Sequence, residues 1–308
     1  MVIGIDAGGT SVRIVLAKTE TGKVVAEASA AADADGGPEA VARLWRKMDT
    51  GSGSEVVGAV VAGIAKITRE GVRKRWETAL SDMFLEAAIS IVPDYVAAFH
   101  GAIPDGCGIM VISGTGSVAY GENSEGAFCR VGGRGWEYGD EGSGSHLTTE
   151  ILRRTLRALD GIEVLTPLQE AVCASLDTSD PDLLGGAARQ RAEAEGRGFL
   201  APLVLEMARS GDEEAANLFI GSAGWLSSLV WCVHRRLGLA PEEATTIATI
   251  GGLWEAGDLI LPTFRRLIAR RMPGASVVPP NSSPVLGAVR MARRSLHGQG
   301  SMIDYKIY

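Results

Sequence analysis

Glycine-rich turns that directly follow apolar segments are the residues in this sequence best suited to chemistry. The first glycine turn contains Asp6, Gly8, Gly9 and Thr10, and it follows the apolar segment 2–5. Backbone N–H groups in such a turn can hold phosphate oxygens, and the Thr10 hydroxyl can add a donor. The Asp6 carboxylate, at the end of a predicted strand, can hold a hydrated Mg²⁺. The same pattern also occurs in plain hairpins, so it predicts little alone.

A second glycine turn of the same kind follows further along the chain. It consists of Gly114, Thr115, Gly116 and Ser117, between two apolar segments that we predict to be strands. The order strand, glycine turn, strand therefore occurs twice. Two such turns can hold the phosphates of one nucleotide from opposite sides.

A third glycine turn, Gly251 and Gly252, ends the predicted strand 246–250. Two glycines at a strand end allow a flat base to lie against the backbone. The set is not a P-loop, because no Gly-Lys-Ser/Thr follows the first two turns. It is not a dinucleotide-binding fold either, because a strand and not a helix follows the first turn.

The elements that must position these turns alternate between strands and helices. Strands are predicted at 2–5, 11–18, 24–28, 56–62, 89–92, 109–113, 118–122 and 246–250. Helices are predicted at 38–48, 70–86 and 95–102, through most of 141–239, at 254–271 and from Pro284 onward.

Composition excludes several classes of function. The formal net charge of −7 over 308 residues argues against a nucleic-acid surface, which is usually basic. The four cysteines contain no CxxC pair, so neither a zinc site nor an iron–sulfur cluster is indicated, and a reducing compartment is expected. No targeting segment precedes the first predicted strand, so we expect a cytoplasmic protein.

One segment is long enough to cross a membrane. Residues 215–234 carry no formal charge, which matches membrane-spanning length. Asparagine, serine and glycine residues dilute the segment, so we interpret it as a buried helix of a soluble domain. No membrane partner is expected.

The order of the three glycine turns resembles the actin-like ATPase superfamily, which includes sugar kinases, actin and Hsp70 chaperones. Three further motifs are similar to its N-acetylglucosamine kinase branch, within the BadF/BadG-type ATPase family. They are Ile-Ser-Gly-Thr-Gly-Ser at 112–117, Gly-Gly-Arg-Gly-Trp at 132–136 and Gly-Asp-Glu-Gly-Ser at 139–143. The resemblance extends from Met1 to about Arg293.

This resemblance implies an α/β fold of two RNase H-like lobes around an interlobe nucleotide cleft. The expected lobes are 1–107, with the C-terminal helix 287–308 packed back on it, and 108–286. The implied reaction uses ATP and Mg²⁺ to phosphorylate a hexose or amino sugar at O6. N-acetylglucosamine is the first candidate, ahead of glucosamine and glucose. Homodimers are common in this family, which leaves a homodimer open here.

The resemblance also implies roles at matching positions. Asp94 falls where these kinases have the general base, although its residue type and position alone favour an N-cap of the helix that begins at Tyr95. Thr115 is expected to touch both sugar and phosphate, and Gly133 to offer backbone to the sugar. Asp140 is expected to face sugar hydroxyls or the metal. A plainer alternative makes Asp140 an acid in the first turn of the next helix.

Two departures from the family pattern concern the sugar. Arg134 stands directly after Gly-Gly, where many N-acetylglucosamine kinases have Trp, and Trp136 follows two residues later. This form resembles an archaeal hexokinase with broad sugar tolerance. The segment 30–37 offers Asp33 and Asp35 but lacks the Asn that often binds the sugar. Strict recognition of an N-acetyl group is therefore not expected.

Two alternative functions remain open. The first is an ATPase activator of a radical dehydratase or benzoyl-CoA reductase, a dimer that holds an iron–sulfur cluster through cysteines in glycine-rich contexts. Cys107 and Cys129 do not lie in such contexts. The second is a sugar-sensing ATP-binding protein without catalysis. Asp94 argues against a sensor, because a sensor does not need a base.

Overall fold

The chain forms two compact units, each built on one β-sheet. The computed structural model describes residues 1–9, 11–31, 37–48, 56–69 and 71–298. Contacts separate Met1–Gly106, together with the chain from Pro280 onward, from Cys107–Pro279. The sequence predicted the boundaries between the two units after residues 107 and 286, whereas the contacts put them after Gly106 and Pro279. Thr10, the two aspartates at 33 and 35, and the tail after Gly298 lie outside the described residues.

The first unit contains a mixed five-stranded sheet in the order β3-β2-β1-β4-β5. Its strands are β1 Val2–Ala7, β2 Ser11–Ala17, β3 Val24–Ala31, β4 Ala59–Ile64 and β5 Ala88–Pro93. β1 pairs antiparallel with β2 and parallel with β4. The near-continuous apolar runs of β1 and β4 follow from this central position, since both faces of each strand are covered.

Helices cover both faces of this sheet. They are α1 Pro38–Lys47, α2 Val72–Met83 and α3 Asp94–Ala102, and the C-terminal helix Pro284–Leu296 also packs here, on β1, β4 and α3. Two glycines permit this close packing. A Cβ on Gly4 would approach the Val285 carbonyl oxygen to 2.5 Å, and a Cβ on Gly287 would overlap the Ala97 carbonyl.

The second unit repeats the arrangement of the first. Its strands are β6 Gly108–Ser113, β7 Ser117–Glu122, β8 Phe128–Gly132, β9 Thr245–Ile250 and β10 Ala275–Val278. Their order is β10-β9-β6-β7-β8, in which β6 pairs antiparallel with β7 and parallel with β9. The repeated strand, glycine turn and strand predicted from the sequence are therefore β1–β2 and β6–β7. The predicted α/β class with two RNase H-like sheets is confirmed.

The helices of the second unit pack around its sheet. They are α4 Gly144–Leu159, α5 Pro167–Ser175, α6 Pro181–Glu195, α7 Ala201–Arg209, α8 Glu213–Arg236 and α9 Leu261–Arg271, and the C-terminal helix Pro284–Leu296 is α10. α8 contains residues 215–234 and has the length and composition of a membrane span. It packs against β6, β7, β8, α7 and α9, and it buries Phe219, Leu226 and Val230 as a core helix does.

The structure differs from the predicted elements at several points. β8 and β10 were not predicted, and β4 begins at Ala59 instead of residue 56. The predicted helix 254–271 is two helices, the 3₁₀ helix Gly252–Leu259 and α9. Ile260 separates the two helices, and Pro262 stands in the first turn of α9. Gly257, inside the 3₁₀ helix, has the non-helical angles φ +53° and ψ −110°.

Candidate active site

The first glycine turn joins β1 to β2 in the first unit. Asp6 lies near the end of β1, opposite Arg13 of β2 and beside Gly63 of β4. The Gly8 amide donates to the Ser11 carbonyl at 3.0 Å, which closes the turn. Apart from its two chain neighbours, no described residue has an atom within 4 Å of the place where a Gly9 Cβ would be.

Asp94 is the first residue of α3, in the same unit as the first glycine turn. The N-cap residue is Pro93, so Asp94 is the first helical residue and not the N-cap that its residue type suggested. Its Oδ1 still accepts a hydrogen bond from the Tyr95 amide at 2.9 Å. A Cβ on Gly63 would lie 2.6 Å from the Ala97 Cβ and 3.5 Å from the Asp94 Cα. The absence of a side chain at Gly63 therefore allows the start of α3 to approach β4.

The negative charge of the Asp94 carboxylate raises the pKa of Asp6. The pKa of Asp6 is raised from 3.8 to about 6, first by burial and then by the negative charge of Asp94, while Arg13 opposes the shift. Two carboxylates that repel each other can share a proton or bind a cation. Their oxygens are the ligands that Mg²⁺ prefers.

Such a cation would need ligands from outside the protein. Across the described residues, no group of three or more His, Cys, Asp or Glu side chains could hold a metal ion. Mg²⁺ usually keeps several waters and binds through one or two carboxylates plus substrate phosphates. Asp6 fits that kind of site, with one protein carboxylate beside substrate phosphates and waters, and it does not fit a permanently bound metal.

The second glycine turn is held by the N-terminus of α4. The amides of Gly144 and Ser145 donate to the carbonyls of Gly114 and Thr115 at 2.8 and 3.1 Å. These contacts use two of the amides that a helix start leaves without intrahelical partners. The helix N-terminus thus fixes the turn, and the space over Gly114 stays free because no atom lies within 4 Å of its Cβ position.

The Gly-Asp-Glu-Gly-Ser segment is tied to the same turn from the other side. The hydroxyl of Ser113 donates to the Gly142 carbonyl at 2.9 Å. The hydroxyl of Ser117 donates to the Glu141 carbonyl at 2.7 Å. α4 begins at Gly144 with Ser143 as its N-cap, and its first turn contains no acid. The alternative that Asp140 is a first-turn acid is therefore wrong.

Asp140 instead connects two loops. It is a non-glycine residue with φ +58°, a conformation that side chains rarely adopt. Its carboxylate accepts hydrogen bonds from the amides of Ser117 and Gly135, and burial, the larger effect, raises its pKa. The carboxylate also lies against Gly116, where an added Cβ would be 2.9 Å from Oδ2. Asp140 thus links the second glycine turn to the 132–135 loop.

The residues predicted to contact the sugar lie beside this link. Gly133 has φ +64°, and its amide already donates to the Ser117 carbonyl at 2.8 Å. The Arg134 Cβ lies 3.1 Å from where a Gly139 Cβ would be. Trp136 is 46% exposed, and the Arg197 guanidinium lies 4.2 Å from its ring centroid. The structure therefore brings together Gly133, Arg134 and Asp140.

The second and third glycine turns share one pocket of about 620 Å³. Gly251, with φ +107°, presses so closely on the Ser113 carbonyl that no side chain would fit. Gly252 lines the pocket with Gly114 and Thr115, and apolar side chains such as Phe199 and Leu253 form much of the rest. The volume and the apolar walls suit a nucleoside.

Several residues that line this pocket were not predicted from the sequence. Glu195, Gly198 and Phe199, at the junction of α6 and α7, line it together with Glu255. Glu255 follows the third glycine turn by three residues, so its position near the pocket had a local signal. Glu195, Gly198 and Phe199 belong to none of the three glycine turns, and they reach the pocket through the packing of α6 and α7.

Comparison with known proteins is consistent with these observations. The two repeated sheets with glycine turns define the fold of the actin-like ATPases and sugar kinases. A ROK family glucokinase from Streptomyces griseus, solved with glucose and AMPPNP, shares this fold with a TM-score of 0.56 and 20% identity over 97% of this chain and 99% of that one. The profile of the BadF/BadG/BcrA/BcrD ATPase family matches residues 3–292, so this chain belongs to that family.

Individual relatives cover nearly the whole chain. An N-acetyl-D-glucosamine kinase of Dictyostelium discoideum is 28% identical over 95% of this chain and 98% of its own length. An N-acetylmuramic acid/N-acetylglucosamine kinase of Clostridium acetobutylicum is 25% identical over 95% and 98%. A crystal structure from Chromobacterium violaceum, provisionally assigned as an N-acetylglucosamine kinase, has a TM-score of 0.73 and 28% identity over 94% and 97%.

The contact between Gly116 and Asp140 predicts a sensitive position. In Gly116→Ala, the new Cβ would push the Asp140 carboxylate away from the amides of Ser117 and Gly135. We expect the protein to fold, but the displaced turn should lower kcat/KM for phosphoryl transfer by roughly 10-fold to 100-fold. The measurement is steady-state kinetics beside thermal unfolding.

A helical glycine provides the matched control. No atom lies within 4 Å of the Cβ position of Gly186, which is exposed on α6, so Gly186→Ala should leave kcat/KM unchanged. Parental kcat/KM in Gly116→Ala would show that the position of Asp140 does not matter.

Proposed function

We propose that this chain is an ATP-dependent kinase that transfers the γ-phosphate of ATP to a hydroxyl of a hexose or amino sugar. The observation that carries the proposal is the pair formed by Asp6 and Asp94, whose charges interact in the first unit. Sugar phosphorylation requires a general base for the attacking hydroxyl and a group that holds the cation beside the phosphates, and a carboxylate can fill either role. Membership of an ATPase family and the names of the relatives support the same reaction.

In this proposal, the second unit binds the nucleoside. Gly252, Leu253 and Phe199 offer one wall to the base in the pocket of about 620 Å³. The triphosphate then points toward Gly114 and Thr115, whose turn is already fixed by the start of α4. A turn that is rigid before binding loses little entropy when it holds the phosphates.

The first unit supplies the acidic groups of the reaction. Asp6 is the residue that we assign to Mg²⁺, through water, and bound Mg²⁺ would neutralise charge on the transferring phosphoryl group. Gly8, Gly9 and Thr10 are assigned to the phosphates. Asp94 is assigned as the general base that accepts the proton of the attacking sugar hydroxyl, at O6.

The acceptor is proposed to be an amino sugar, with N-acetylglucosamine first and glucosamine or glucose next. The relatives are named as kinases of N-acetylglucosamine and N-acetylmuramic acid, and a third, from Vibrio cholerae, as a glucosamine kinase. Gly133, Arg134, Asp140 and Thr115 are the residues that we assign to the sugar. A soluble cytoplasmic protein and a homodimer remain predictions.

The test is coupled ADP release with ATP and Mg²⁺ over five sugars: N-acetylglucosamine, glucosamine, glucose, N-acetylmannosamine and N-acetylmuramic acid. We expect turnover that depends on the sugar, with an amino sugar preferred. Equal slow hydrolysis with every sugar would instead favour a dehydratase activator or a sensor. Iron analysis then separates these two, since only an activator would contain an iron–sulfur cluster.

A further inference from the structure

The junction of α6 and α7 forms one wall of the pocket in the second unit. α6 ends at Glu195, and Gly196, with φ +95°, turns the chain away from the helix. Glu195, Gly198 and Phe199, which lie close together in the sequence, all line the pocket. Gly198 packs directly on Gly144, whose amide holds the second glycine turn. This wall is therefore fixed to the turn that we assign to the phosphates.

One arginine orients both side chains of this wall. Arg191 Nη1 donates to the Ser175 carbonyl at 2.7 Å, which anchors the guanidinium on the end of α5. Its Nη2 donates to Glu195 Oε2 at 3.1 Å, and its Nε lies 2.5 Å from Oε1. The guanidinium also lies 5.7 Å from the ring centroid of Phe199. The guanidinium thus meets the carboxylate through one hydrogen bond and one ion-pair contact, between side chains that are 40% and 48% exposed.

The charges along the pocket limit what can bind there. Among the described residues that line it, Glu195 and Glu255 are acidic and none is Lys, Arg or His. A phosphate or carboxylate of a ligand would be repelled from these two glutamates. A neutral group with O–H or N–H donors would be attracted, because an ionised carboxylate only accepts hydrogen bonds. A nucleoside has a flat aromatic base, whose faces suit apolar walls, and a ribose with two such hydroxyls.

We propose that Glu195 accepts hydrogen bonds from the 2′ and 3′ hydroxyls of the nucleotide ribose, and that Arg191 is the positioning residue that holds Glu195 and Phe199 in place. Each carboxylate oxygen has lone pairs left after its contact with the guanidinium. Glu195 is assigned in preference to Glu255 because Arg191 fixes its carboxylate before any ligand arrives. This inference rests on the proposed function, because it takes the pocket to be the nucleotide site.

The test compares the affinity of the full-length protein for ADP, 2′-deoxy-ADP and 3′-deoxy-ADP by calorimetry, without sugar. The parental protein should bind ADP about tenfold more tightly than the weaker of the two deoxy nucleotides, as loss of a hydrogen bond to a charged group implies. In Glu195→Ala, this ratio should fall to about one, because ADP affinity drops and deoxy-ADP affinity does not. Glu193→Ala, an exposed glutamate of the same helix, is the control and should keep the parental ratio.

Arg191 variants separate positioning from a general effect on the fold. Arg191→Met keeps the apolar stem but loses the guanidinium, so the ratio should fall several-fold while the melting temperature changes little. Arg191→Lys retains a charge without the planar fork and should restore part of the ratio. A ratio in Arg191→Met equal to the parental one would remove Arg191 from this role.

The outcomes distinguish the inference from the proposed function. Ribose discrimination that depends on Glu195, in a protein that phosphorylates no sugar, would support the inference and contradict the kinase. ADP binding with no ribose discrimination, or with discrimination that survives in Glu195→Ala, would overturn the inference and leave the kinase standing. A parental protein that binds no ADP would overturn both.

Discussion

Asp94→Asn should lose at least ~10² of its turnover with the preferred sugar, while its fold and its ADP affinity remain parental. An amide has nearly the shape of a carboxylate but cannot accept the proton of the attacking hydroxyl. The amide oxygen can still accept the hydrogen bond from the Tyr95 amide, so the start of α3 should be preserved. The measurement is kcat by coupled ADP release, beside thermal unfolding and ADP calorimetry.

A matched aspartate in the same unit provides the control for Asp94. Asp82 is exposed on α2, so Asp82→Asn should keep parental kcat. Near-parental kcat in Asp94→Asn would remove Asp94 from the role of base, and it would favour a non-catalytic role for the site.

Asp6→Asn should change activity and stability in opposite directions. Turnover should fall by roughly 10² or more, because an amide is a poor partner for hydrated Mg²⁺ beside the phosphates. Stability without ligand should rise at neutral pH, because the substitution removes a buried charge that Asp94 repels. Functional sites commonly carry such a stability cost.

The pH dependence of this stability follows from the direction of the pKa shift. The folded-state pKa of Asp6, about 6, lies above its ordinary value of 3.8, so the folded state holds this proton more tightly. The stabilising contribution of the protonated group is complete below about pH 4 and is lost as pH rises through 6. At pH 7.5, the ionised group therefore lowers the free energy of unfolding by about 2 to 3 kcal/mol.

Urea unfolding at pH 4.0 and 7.5 checks this prediction. Asp6→Asn should exceed the parental free energy of unfolding at pH 7.5 by up to about 2 kcal/mol, and the difference should shrink at pH 4.0. A lower stability of Asp6→Asn than of the parental protein at pH 7.5 would contradict this prediction. It would mean that contacts of the ionised carboxylate stabilise the fold by more than its burial and the repulsion from Asp94 cost.

The repeated element of the fold could be predicted because its signal is local. Apolar runs that end at glycine turns identified β1–β2 and β6–β7, and the order of the turns indicated the fold. β8 and β10 were missed for a physical reason. They are edge strands of five and four residues with partly buried, mixed side chains, so neither shows a clear alternation. The break at Ile260 was missed although Pro262, two residues later, gave a signal for it.

The glycine turns of the candidate site could be predicted from the residues themselves, whereas Asp94 and Asp140 were assigned only through the family resemblance. Gly251 and Gly133 stand at positive φ, which their residue type allows at no cost. Asp140 also has positive φ, and its place in a strained loop, not in a helix, could not be read from its residue type. Arg191, Glu195 and Phe199 meet through packing of α5, α6 and α7, for which the sequence contains no motif.

The most direct test of the central claim is the identification of the phosphorylated product. The parental protein and Asp94→Asn would each be incubated with ATP, Mg²⁺ and N-acetylglucosamine, and then with each of the other four sugars. Phosphorus NMR would measure sugar 6-phosphate against ADP. We expect the parental protein to form one sugar phosphate per ADP, with an amino sugar preferred, and Asp94→Asn to form little product. ADP without sugar phosphate, or no reaction with any of the five sugars, would contradict it.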